Sequence, residues 1–200
     1  MTDNNSKKYD ANFTAGGILH HEFLSLQEII LNENFAELMK IEEEQNSYMR
    51  VATKSARKRI ISEIIRRYNN APNNFWDYFI NWSETEQKLG LFYLCLKTYP
   101  LILDIHLEVA LKKFNIGSSL DPFDIQMRFD EIASVNVDVE KWSQKTLDKL
   151  NSQFRTALKE TGLLNKKQLH KNTKCSEQFW NYFKEINESW FLKACFINSN

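Results

Sequence analysis

The chain has 200 residues, 42% of them hydrophobic and 26% charged, with 26 Lys+Arg against 26 Asp+Glu. That length suits one large domain or two small ones sharing a core, and a formal net charge of zero excludes a protein that is basic throughout. Fourteen Phe, seven Tyr and five Trp exclude a disordered chain, while five Gly and three Pro are too few for the turns of an all-β fold.

Residues 1–10 are polar, lack a secretory signal and read as a flexible arm. A first helix is expected from near Ala15, carrying Ile18, Leu19, Phe23, Leu24 and Leu26. Asn34 and Glu37 have the spacing of an N-cap and its reciprocal partner, opening a helix that runs into the acidic Glu42–Glu44. Thr53 caps the next, where Ile60, Ile61, Ile64, Ile65 and Tyr68 recur at helical spacing before Pro72. A short aromatic helix holds Phe75, Trp76, Tyr78, Phe79 and Trp82. Ser83 with Glu86 opens a strongly apolar helix to about Thr98, and Pro100 begins another that ends near Gly117. Asp121-Pro122 is a further start signal. Thr146 precedes the stripe Leu147, Leu150, Phe154, Ala157 and Leu158, which Gly162 closes. Ser176 opens a last aromatic helix, and Trp190–Phe196 reads as helix or strand.

The expected fold class is therefore all-α. The break near residues 115–121 divides it into an N-terminal helical bundle, residues 11–118, and a smaller C-terminal helical unit, residues 119–200, packed on it. The most apolar stretch, Leu89–Leu96, is stopped by Lys97, well short of the roughly 20 residues of a membrane span. Cys95, Cys175 and Cys195 are odd in number and widely spaced, which fits free thiols in a reducing compartment. The chain thus reads as soluble, cytoplasmic and without a membrane partner. His20, His21, His106 and His170 have no metal-ligating spacing, and no HExxH, Cys-x-x-Cys or Gly-rich phosphate loop occurs. No catalytic residue, metal or cofactor is expected, so the chain should act by binding.

The charge is nevertheless segregated. Glu22–Glu44 has seven acidic residues against one Lys, and Asp121–Glu140 six against one Arg. Lys54–Arg67 has six basic residues against Glu63, and Lys141–Lys174 nine against Asp148 and Glu160. Such blocks create strong local fields even when their sum vanishes. One Glu cannot neutralise Lys54, Arg57, Lys58, Arg59, Arg66 and Arg67, so part of that helix is expected to meet phosphates. In the second block Lys145, Lys149, Arg155 and Lys159 decorate an amphipathic helix, with Lys166-Lys167 in a hairpin-like stretch beyond it. A basic helix followed by such a stretch resembles winged-helix modules, whose wing touches the DNA backbone.

The order of short motifs adds a family resemblance. Phe13-Thr14-Ala15-Gly16-Gly17, followed by His21-Glu22-Phe23, resembles the N-terminal signature of the BrxA family. Thr53, Ala56 and Arg59 leading to Glu63 and Arg67, then Glu86 through Leu94, Tyr99-Pro100-Leu101-Ile102, Asp104, and Lys145-Thr146 through Gly162-Leu163-Leu164 extend it over about 9 to 165. The resemblance implies a small all-α protein with a NusB-like bundle. Such a protein would be a non-catalytic accessory of BREX systems, the bacterial multi-gene islands that restrict bacteriophage. Its partners would be double-stranded DNA and other BREX proteins. Two other readings stand beside it: a protein–protein adaptor that docks through the acidic blocks and aromatic helices, and an RNA-binding NusB-like factor. The family also carries an inner-membrane label, for which this sequence offers no span.

Overall fold

The computed structural model describes residues 9–197. A 3-10 turn, Asn12–Ala15, precedes α1 (His20–Ser25), α2 (Gln27–Ile30), α3 (Phe35–Gln45), α4 (Lys54–Asn70) and α5 (Phe75–Phe79). Then come α6 (Glu84–Thr98) and a rod of α7 (Pro100–Ile105), a π-helical turn (His106–Leu111) and α8 (Lys112–Asn115). The chain finishes with α9 (Pro122–Ala133), α10 (Val137–Glu140), α11 (Gln144–Glu160), the hairpin β1 (Leu164–Asn165) and β2 (Gln168–Leu169), α12 (Glu177–Glu185) and α13 (Trp190–Ala194). The protein is all-α apart from that antiparallel hairpin.

Helix α6 is the axis. Leu89 through Leu96 are all buried, as expected of a helix that is apolar on every face. Helices α1, α4, α5 and α7 pack around it. The α6 glycine makes room for Trp82, in the turn between α5 and α6, because a Cβ on Gly90 would lie 2.5 Å from its ring. Helix α4 has the expected Thr53 cap, whose side chain accepts from the Ala56 N–H, and it buries Ile61 and Ile64. Helix α11 buries Leu147, Leu150, Phe154, Ala157 and Leu158. It ends in the Gly162 turn, with φ +73°. There the Leu163 N–H bonds the Leu158 carbonyl and the Gly162 N–H that of Lys159.

Two local expectations are corrected. The chain near Ala15 forms a 3-10 turn, and Gly17 (φ 62°) and Leu19 (φ 57°) take left-handed conformations before α1 begins. Paired glycines let the backbone break where an apolar pattern alone suggests one helix. Asn34 precedes α3 but has ψ 27°, outside the extended N-cap geometry, and its side chain makes no capping bond. Helix α11 begins at Gln144, ahead of the stripe that Thr146 precedes, because Ser143 accepts from the Thr146 N–H as its cap.

One apolar core runs through both parts of the chain. The 3-10 turn is wedged between α4 and α11, and α9 and α13 pack on the π-helical turn. Arg128 of α9 bonds Asp104 of α7 at 2.8 Å across the break near residue 118. Most of the expected flexible arm, residues 1–8, lies outside the described residues. Tyr9 donates to Asp104 at 3.0 Å, and Asp10 pairs with Arg66 at 2.7 Å. Four rings from separate elements stack in sequence: Phe35 on Tyr68, Tyr68 on Trp76, Trp76 on Phe23. Cys95 and Cys195 are buried and Cys175 half-buried, all as free thiols.

His106 is fully buried among Phe92, Phe154 and Phe196, and its Nε2–H donates to the Ala194 carbonyl at 2.7 Å. Burial pushes its pKa down from 6.5 to about 4, against the opposing pull of that carbonyl. A histidine held neutral in the fold but free to protonate when unfolded makes stability fall as pH drops from 6.5 towards 4, at up to about 1.4 kcal/mol per pH unit. Between pH 6.5 and pH 5 the wild type should therefore lose about 1.5 kcal/mol from this group, measured by urea unfolding. His106→Gln, which keeps a donor but does not titrate, should flatten that slope.

Candidate nucleic-acid interface

The first basic block is largely engaged inside the fold. Lys54 pairs with Glu44 at 2.8 Å on the surface. Arg57 is buried, with its Nε donating to the Glu43 carbonyl at 2.5 Å and Nη2 to that of Glu44 at 3.5 Å. It thereby satisfies the orphan carbonyls and negative end of α3. Arg66 bonds Asp10 at 2.7 Å and the Thr98 carbonyl at 3.2 Å, and lies over the Tyr99 ring. Arg67 is 0% exposed. Its Nε donates to the Tyr99 hydroxyl at 2.9 Å, which donates onward to the buried Glu63 at 2.7 Å.

Arg57 and Arg67, expected as phosphate contacts, are therefore closed off, and Arg66 and Lys54 are paired. Of the six, Lys58 and Arg59 alone are both exposed and outside ion pairs among the described residues. Arg59 also reaches the Thr14 hydroxyl at 3.5 Å. Counting charges within the helix fails here because the neutralising groups come from elsewhere: Asp10, Glu44 and backbone carbonyls.

The second block is arranged differently. Lys145 and Lys149 are exposed on the first turns of α11. Arg155 is half-buried, and its buried Nε has no hydrogen-bond partner among the described residues. Lys159 stands on the last turn of α11. Lys166 and Lys167 form the tip of the β1–β2 hairpin, Lys166 at φ 55°. Lys167 pairs with Asp121 at 2.5 Å, and its carbonyl accepts from the Leu120 N–H at 2.8 Å, fixing the hairpin to the start of α9.

Between the end of α11, the hairpin and the segment after it lies a groove of about 670 Å³. Its wall presents Lys159, Lys166, His170, Lys171 and Lys174 against the single acid Glu160. Burial pushes the Glu160 carboxyl above its usual range, opposed by Lys88. All four lysines are exposed and make no ion pair among the described residues. The groove gathers Lys159 and Lys166 from the expected set. Lys149 is ten residues before Lys159, about 15 Å along the helix. His170, Lys171 and Lys174 were not singled out by motif, although the charge count from Lys141 to Lys174 contains the two lysines.

Glu86 stands next to the groove, one residue beyond Thr85 in its wall. Its carboxylate accepts from the N–H and hydroxyl of Ser83 at 2.8 and 2.7 Å, and from those of Ser176 at 2.8 and 2.7 Å. Burial alone would raise its pKa, but the Ser176 and Ser83 donors outweigh it and hold the carboxyl below its usual range. The expected caps at Ser83 and Ser176 thus meet on one charge. Among the described residues no three His, Cys, Asp or Glu side chains are grouped to hold a metal, and no helix is long and apolar enough to cross a membrane.

Fold and site together define a small all-α protein that presents a lysine-lined groove beside a two-stranded hairpin. The BrxA family model matches residues 7–176, and the chain belongs to that family, which makes it a component of BREX phage defence. No curated protein matches the chain in sequence. Its fold is similar to the crystal structure of an uncharacterized protein from Magnetospirillum magneticum, at 18% identity and a TM-score of 0.72, covering 94% of this chain and 97% of that one.

The two basic blocks should respond differently to charge reversal. Arg67→Glu places an unpaired acid beside Glu63 in the core and should lower stability by more than about 3 kcal/mol. Lys171→Glu with Lys174→Glu should stay within about 0.5 kcal/mol of the parent. Denaturant unfolding followed by circular dichroism measures both.

Proposed function

We propose that this BREX component is a non-catalytic, cytoplasmic DNA-binding factor that contacts duplex phosphates through the lysine groove. The observation that carries this reading is the convergence of Lys159, Lys166, Lys171 and Lys174 on one concave surface with Glu160 as its one acid. Lysines outside ion pairs release counterions when they meet phosphates, giving sequence-independent affinity that falls steeply with salt. A basic hairpin following a basic helix, as β1–β2 follows α11, is the order of elements in a winged-helix module, and on this reading its tip would touch the backbone. Lys145 and Lys149 extend the positive track along α11, and Lys58 and Arg59 are a separate, smaller patch.

Anisotropy titrations on a duplex at two salt concentrations test this. Replacing the four groove lysines by Glu should weaken binding at least roughly tenfold. It should also reduce the log–log salt slope by about one for each phosphate that is no longer neutralised. Lys58→Glu with Arg59→Glu should change little. No binding at low salt, or unchanged binding by the groove variant, would sink the reading. Competition with single-stranded RNA separates it from an RNA-binding role.

A protein-docking role is the second reading, favoured by α9. Phe123 and Met127, one turn apart, are 69% and 48% exposed, with Asp130 and Glu131 further along the same side. Such an acidic, apolar helix face suits a basic partner surface. Co-purification that survives nuclease treatment would support it.

A further inference from the structure

A second groove, of about 760 Å³, lies on the other side of the Glu86–Ser176 contact. Its wall is aromatic, formed by Tyr78, Trp82 and Phe179, with Asp77, Asn81 and Gln178 at its polar positions. Tyr78 is 47% exposed and leans on Tyr182 at 4.7 Å. Trp82 is held edge-on by Phe75, Phe179 and Tyr182 at 5.3, 4.9 and 5.4 Å, and Gly90 leaves room behind it. The Trp82 ring is therefore fixed before any ligand arrives, and binding to it orders little that is not already ordered. Gln178 makes no side-chain hydrogen bond among the described residues, so its amide offers a donor and an acceptor.

The two grooves adjoin. Thr85 lines the basic groove, and its neighbours Ser83 and Glu86 line the aromatic one. Lys174 lines the first and Ser176 the second, two residues and at most about 7 Å apart. The ridge between them is the Glu86 carboxylate, whose charge is shared among four donors at two helix N-termini. A positively charged track that opens onto aromatic rings and amides matches the way proteins hold nucleic-acid strands whose bases are unstacked. Paired bases inside a duplex cannot reach such rings.

From this juxtaposition we infer that the aromatic groove is a base-stacking site, and that the preferred ligand is DNA with unpaired nucleotides next to a duplex. The inference rests on the proposed DNA binding through the lysine groove. Phosphates lie against Lys171 and Lys174, and the first unpaired base enters between Tyr78 and Trp82. Gln178 and Asn81 meet its edge, and the Asp77 carboxylate accepts from an exocyclic amino group.

The test uses the full chain and two DNAs: a blunt duplex, and the same duplex with a short single-stranded overhang whose first unpaired base is 2-aminopurine. The overhang should bind roughly tenfold tighter than the blunt duplex, in the range expected for stacking one base. Binding should also quench the 2-aminopurine. Tyr78→Ala, a change at an exposed ring, should bring the two DNAs to equal affinity and abolish the quench, leaving blunt-duplex affinity unchanged. Lys171→Glu with Lys174→Glu should weaken both DNAs alike. Equal affinity of the parent protein for both DNAs, or a preference that survives Tyr78→Ala, overturns the stacking site while duplex binding stands. Binding of neither DNA at low salt overturns both readings together.

Discussion

The carboxylate of Glu86 accepts four hydrogen bonds from two serines, each of which begins a helix. One of those helices, α6, is enclosed by the rest of the bundle, so the direction in which it enters the core sets where α1, α4, α5 and α7 can pack. The other, α12, supplies the aromatic layer of Phe179, Tyr182 and Phe183 that covers Trp82. A buried charge is tolerated only where donors replace the lost water. Here the N–H and hydroxyl of each N-cap serine do so, and the positive ends of both helix dipoles add to the effect. The same atoms form the ridge between the lysine groove and the aromatic groove. The geometry of the surface therefore depends on an interaction in the interior.

The basic residues divide by chemistry as well as by place. Those drawn into the fold are arginines: Arg57 on carbonyls, Arg67 against Tyr99, and Arg66 on Asp10. The groove holds lysines. A guanidinium is weakly hydrated and presents a fork of donors, which suits it to fixed partners in the interior. An ammonium is strongly hydrated and stays in water, where it meets mobile anions. Two blocks that look alike as positive charge thus take opposite roles, one in holding helices together and one in facing solvent.

Local signals were legible in the sequence. The caps at Thr53, Ser83 and Ser176 and the terminator at Gly162 each involve atoms only a few residues apart, so spacing suffices to read them. The hairpin after α11 was legible as a basic stretch beyond a helix, and the ordered motifs from about residue 9 to 165 correspond to the family match over 7–176. Features made by distant segments were not. Arg66 is neutralised by Asp10, 56 residues away, and Arg67 is held by a tyrosine 32 residues away. The aromatic groove joins Tyr78 to Phe179, and no periodicity links them. Lys171 and Lys174 became part of a site because the hairpin turns the chain back across the end of α11, which their positions in sequence do not disclose.

Lys166 sits at the outermost bend of the hairpin with φ 55°, a left-handed conformation that opposes an L side chain by about 1 kcal/mol. Glycine or asparagine would relax that bend. Either would also remove the cation that the hairpin carries furthest from the body of the molecule. Turn stability and groove charge therefore make opposite demands on this one position, and a lysine there keeps the charge while leaving the bend strained.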